Sequence, residues 1–183
     1  LISEGILKSD KVYDEANVLK VRLHSILNSN QSIYFDYPEY ITKEQYVEII
    51  ETIKRGFLNV RPNKEVAFAL VLESNLGIRI SDIIKLRLTS IVKDGNRYRL
   101  DIIEQKTDKT RTFTVPLEVY NYIKQYCIDN NIKSNENIFT IKPRQVQRIL
   151  EKAVQYLGYE NISTYSFRKF YATQIYIDNN YDI

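Results

Sequence analysis

Seven consecutive apolar residues, Val66 through Leu72, stand between a Pro62-Asn63 pair and Gly77. Proline and asparagine suit the opening of a helix, and glycine its left-handed close, so the stretch reads as one helix. A helix apolar nearly all round belongs at the centre of a core, with other elements covering its faces. This is also the longest unbroken apolar run of the chain. It falls far short of the roughly 20 residues that cross a bilayer, so no membrane span is expected.

The covering elements follow from periodicity. Thr42, with Gln45 three residues on, makes a capping box that opens the preceding helix, whose stripe is Val47, Ile50, Ile53 and Phe57. A short helix is expected at about Ser81 to Leu88, capped by Ser81, with Ile83, Ile84, Leu86 and Leu88 inward. The period then changes. Asp94-Gly95-Asn96 is a turn, and Tyr98, Leu100 and Ile102 alternate with polar residues, as do Phe113 and Val115. Antiparallel strands are expected here, the last hairpin bending at Gln105–Thr110 and Pro116 closing the sheet. Helices resume at Leu117–Ile128, Pro143–Leu157 and Thr164–Ile177. This order predicts an α+β fold, mostly α, with a small antiparallel three-stranded sheet. Before it, residues 13–28 read as an amphipathic helix and residues 29–41, broken by Pro38, as a linker, which divides the chain into 1–41 and 42–183.

Composition narrows the chemistry. A chain of 183 residues suits one domain with an appended arm. The lone Cys127 forbids an internal disulfide and a Cys-based zinc site. No basic-then-apolar leader opens the chain, so a cytoplasmic setting is expected. No Met is present, as expected for a piece of a longer product. The net charge of +3 is small, but nine Lys/Arg and five Asp/Glu fall between Arg79 and Arg111, while residues 1–40 carry four positives and six negatives. A basic middle of this kind suits an anionic partner.

Four stretches carry candidate chemistry. In Gly77-Ile78-Arg79-Ile80-Ser81-Asp82 an arginine precedes a capped helix, where amides and a guanidinium together make a phosphate site. Lys106 lies in the hairpin Glu104–Arg111. Pro143-Arg144-Gln145-Val146-Gln147-Arg148 opens a helix with Arg and Gln where a groove-reading helix would place them. In Tyr165-Ser166-Phe167-Arg168-Lys169-Phe170-Tyr171-Ala172-Thr173, Tyr165 lies about one helical turn before Arg168, so both can face one ligand. Lone His24 lies outside these stretches and reads as surface or packing.

In this order and spacing the set resembles the catalytic domain of tyrosine recombinases, the phage integrase family, from about Thr42 to Ile183. The resemblance implies DNA strand exchange through a 3′-phosphotyrosyl intermediate, with no metal and no cofactor. It casts Arg79 and Arg168 as the guanidiniums that hold the scissile phosphate, Lys106 as the acid for the departing 5′ oxygen, and Asp82 as a brace for Arg79. The family histidine position is Tyr165 here, a departure; a phenol with its ordinary pKa near 10 is a poor base but a competent hydrogen-bond donor. Arg144, Gln147 and Arg148 are candidates for reading base edges or gripping phosphates, and Lys85, Lys109 and Arg111 for phosphate contact. The family's nucleophilic tyrosine is expected more than about two dozen residues after the second arginine, and the chain ends fifteen positions past Arg168. Tyr171, Tyr176 and Tyr181 come too early for that role, so this piece is expected to be inactive alone and monomeric, and the full-length protein to act as a tetramer on double-stranded DNA. The alternative is a DNA-binding regulator that keeps the scaffold without cleaving.

Overall fold

The Thr42 box forms as expected. The Thr42 N–H donates to Gln45 Oε1 at 2.9 Å and the Gln45 N–H to Thr42 Oγ1 at 3.2 Å, opening helix α1 (Lys43–Arg55). The computed structural model describes residues 41–103 and 110–178. The predicted helix 13–28, the linker, His24 and the hairpin tip with Lys106 and Lys109 lie outside the described residues. Helix α1 buries Ile49, Ile50 and Ile53, whereas Val47 is half exposed. Both Val47 and Ile49 fit a helical period with Ile50 and Ile53. The neighbours of α1 decide between them, and α1 packs on α2 and α5.

Helix α2 (Lys64–Leu76) starts at Asn63, whose side chain accepts the Val66 N–H at 2.9 Å, and ends at Gly77 in the left-handed conformation. It is buried at Val66 through Leu70, at Leu72 through Ser74 and at Leu76, the central position its composition requires. Phe68 stacks on Tyr126 with ring centroids 3.7 Å apart. Helix α3 is shorter than predicted, Ile80–Ile83, and its N-cap is Arg79 in place of Ser81. Residues Leu88–Ser90 form a single 3₁₀ turn.

The sheet is antiparallel with order β1 (Ile91–Asp94), β2 (Arg97–Ile103), β3 (Thr110–Val115). Leu100 pairs with Ile91 on one side and Phe113 on the other, which aligns the apolar alternation of all three strands on one face. Helix α4 (Leu117–Asp129) packs on β2, where Tyr120 stacks on Tyr98 at 3.7 Å. Helix α5 (Pro143–Tyr156) has proline in its first turn and buries Val146, Ile149, Leu150, Ala153 and Val154. Helix α6 (Thr164–Asp178) closes the described chain. Residues 39–171 make one compact unit, and from Ala172 on the helix belongs to a second. Among the described residues no helix is long and apolar enough to cross a membrane.

Candidate functional site

The rotation of α6 about its axis is set by its aromatic residues. Phe167 is fully buried, worth about 1.5–3 kcal/mol of transfer free energy, and Tyr46 of α1 stacks on Phe170 at 5.0 Å with the rings nearly parallel. At the helix start the Ser163 N–H donates to Ser166 Oγ at 3.1 Å. These contacts turn Arg168 and Tyr171 toward the end of α2. There the Arg168 Nε donates to the Gly77 carbonyl at 2.9 Å, and the Tyr171 ring lies against Gly77 itself. A half-buried guanidinium from one end of the chain is thus fastened two residues from Arg79, whose own side chain is exposed. Arg168, 89 positions along the chain from Arg79 (168 − 79), is anchored to the turn that carries Arg79.

The turn itself is tightly held. The Gly77 N–H donates to the Glu73 carbonyl at 3.0 Å, and the Arg79 carbonyl accepts from Asp82 N at 2.8 Å and Ile83 N at 3.0 Å. Asp82 is half-buried in the first turn of α3. The N-terminus of α3 takes its cap from Glu73, whose Oε1 accepts the Ile80 N–H at 3.1 Å. Glu73 is 2% exposed, and its Oε2 is buried with no hydrogen-bond partner among the described residues. Burial pushes its carboxyl up to about 8, against the opposing pull of the Ile80 N–H and the Arg168 guanidinium. Sequence reasoning missed Glu73. The available signal was an acid in the last turn of the helix, away from the stabilising N-terminus, with Leu70, Leu72 and Leu76 apolar around it in sequence.

Tyr165 stands exposed on the outer side of α6, with the Lys169 ammonium 4.9 Å from its ring centroid. Lys85 is exposed just past α3, and Arg111 is exposed on β3 opposite Ile102. Arg144, Gln147 and Arg148 share the exposed face of α5, opposite its buried Val146, Ile149 and Leu150. Arg144 and Arg148 are one turn apart with Gln147 between them, so all three side chains face the same solvent.

The chain is similar to known proteins. Residues 39–183 match the phage integrase family. A probable integrase/recombinase of Bacillus subtilis (strain 168), YoeC, is 32% identical over 141 residues, covering 71% of this chain and 72% of that protein. Among solved structures, XerH site-specific recombinase bound to its difH substrate has a TM-score of 0.55 at 15% identity, covering 77% of this chain. This chain spans 43% of the XerH chain. XerA recombinase has a TM-score of 0.58 at 14% identity, over 96% of this chain and 67% of that one. The Tn1549 transposon integrase in complex with circular intermediate DNA has a TM-score of 0.55 at 12% identity, over 88% and 65%. The fold of these recombinases is the one described above, and the chain belongs to the phage integrase family of tyrosine recombinases.

Proposed function

We propose that this chain serves site-specific DNA recombination, breaking and rejoining DNA through a covalent 3′-phosphotyrosyl intermediate without a metal ion. The observation that carries the reading is the bond from Arg168 Nε to the Gly77 carbonyl, which holds the second guanidinium beside the turn of the first. Attack on a phosphodiester builds negative charge on the non-bridging oxygens. Guanidiniums stabilise it with paired hydrogen bonds and a charge they never lose.

In this reading a tyrosine oxygen attacks phosphorus, the bond to the 5′ oxygen breaks, and Lys106 supplies that oxygen with a proton. The phosphate stays on the 3′ side, bound to the tyrosine. A 5′-hydroxyl from a second strand then attacks, and the tyrosine leaves. Each phosphodiester broken is replaced by another ester of similar energy, so no nucleotide cofactor is needed. Tyr165 donates a hydrogen bond to the phosphate, Asp82 braces Arg79, and Arg144, Gln147 and Arg148 hold base edges or phosphates. Lys85, Lys109 and Arg111 add phosphate contacts. Tyr171 is not the nucleophile in this reading, because its ring is engaged against Gly77. Assembly on two duplexes is tetrameric.

The test is a nicked suicide substrate carrying the target site, incubated with the full-length product. A covalent protein–DNA adduct is expected, abolished in Arg79→Ala and Arg168→Ala. Tight binding to verified sites with no adduct would instead assign the chain to a non-cleaving DNA-binding regulator.

A further inference from the structure

Glu73 has no part in the chemistry above, yet it holds the turn that carries Arg79 and to which Arg168 is bonded. Its carbonyl accepts the Gly77 N–H and its Oε1 accepts the Ile80 N–H, so one residue holds both ends of Gly77-Ile78-Arg79-Ile80. Without it the Ile80 N–H would be orphaned at a helix start, because the N-cap Arg79 makes no side-chain capping bond. Its other oxygen is buried with no hydrogen-bond partner among the described residues, and Arg168 is the cation whose field it feels. A carboxyl in such a place is costly, and a position serving packing alone would carry an apolar side chain like its buried neighbours Leu72 and Leu76.

We propose that Glu73 is a positioning residue of the two-arginine site, an inference that rests on the reading above. It clamps the turn that presents Arg79, and its protonation sets how much of the Arg168 charge is left for a phosphate. Near neutral pH the buried carboxyl is mostly protonated, and Arg168 keeps its charge for the ligand. Once ionised, the carboxylate competes with phosphate for that guanidinium. The other titratable groups on the elements it joins are Arg79 on the turn, Asp82 on α3, Tyr46 of α1 at the adjacent Ser74, and Tyr171 of α6 at Gly77. Burial raises the Tyr46 phenol above its usual 10, so it does not titrate in the same range.

The experiment follows binding of a fluorescent duplex to the chain at low ionic strength, from about pH 6 to about pH 9, with folding checked by circular dichroism at each pH. Wild type, Glu73→Ala, Glu73→Gln and Arg168→Ala are compared. Glu73→Ala is expected to weaken binding about tenfold at neutral pH through a loosened turn. Glu73→Gln keeps an oxygen for the Ile80 N–H and cannot ionise. It is expected to restore neutral-pH affinity and to lack the roughly fivefold alkaline loss of the wild type. If Glu73→Ala fails to fold, the comparison of wild type with Glu73→Gln decides alone. Identical pH profiles for those two would overturn the proposal, as would wild-type affinity in a folded Glu73→Ala. The Arg168→Ala arm separates the two levels: unchanged affinity and salt slope there would remove the two-arginine site itself. Weakened binding in Arg168→Ala, with Glu73 variants like the wild type, would remove only the role of Glu73.

Discussion

The ring of Tyr171 lies so close to Gly77 that a β-carbon at the glycine would overlap it. The same glycine has φ +63°, the left-handed region that ends α2. Backbone conformation and tertiary packing therefore both demand the absence of a side chain, at the residue whose carbonyl receives Arg168.

Gly77→Ala should destabilise the chain by about 3 kcal/mol, combining left-handed strain with overpacking. Urea unfolding measures it. Adding Tyr171→Ala should return part of the loss, since only the overlap is relieved and the backbone strain stays.

Arg168→Lys should behave nearly as badly as Arg168→Ala in DNA binding. A lysine keeps the charge but cannot bond the Gly77 carbonyl through a planar fork while offering two more donors to a phosphate. Salt titrations check this. The arginine should contribute about one phosphate to the slope of log affinity against log salt, and the lysine should recover little of it.

Alanine at Arg144, Gln147 or Arg148 should leave the unfolding midpoint nearly unchanged, because all three side chains are exposed on α5. Competition between target and random duplex then sorts their roles. Removing a side chain that reads a base edge costs about 1–3 kcal/mol on the target alone, whereas removing one that grips a phosphate weakens both duplexes equally.

Stability should fall as pH rises from about 5 to about 8. In the unfolded chain Glu73 ionises near 4.5, while burial holds its folded pKa near 8, so the folded state binds the extra proton in that window. The contribution is complete below 4.5 and gone by 8, on the order of 4 kcal/mol. Urea midpoints at both ends of the window measure it, and Glu73→Gln should flatten the profile. A midpoint equally steep in the variant would assign the dependence elsewhere.

Much of this architecture is legible in local signals. The Thr42 capping box, the glycine end of α2 and the alternation around Leu100 each depend on residues within a few positions, and each forms where its chemistry places it. The failures have a common cause in tertiary structure. Ser81 is a good cap by type, but Glu73 reaches across seven positions to cap α3, which starts two residues earlier. Val47 and Ile49 fit the same period, and only the packing of α1 on α2 and α5 chooses Ile49. At the site, motif order leads to the pairing of Arg168 with the Arg79 turn, but nothing in it points to the buried acid beneath them. A glutamate in a helix reads as solvated surface until its neighbours are seen to be buried.

The Gly77 oxygen that receives Arg168 is peptide, common to every amino acid. No substitution at a neighbouring side chain can delete that acceptor, and only a shift of the main chain can withdraw it. The exposed surface of α5 can therefore vary freely, while the placement of Arg168 stays tied to the course of the backbone.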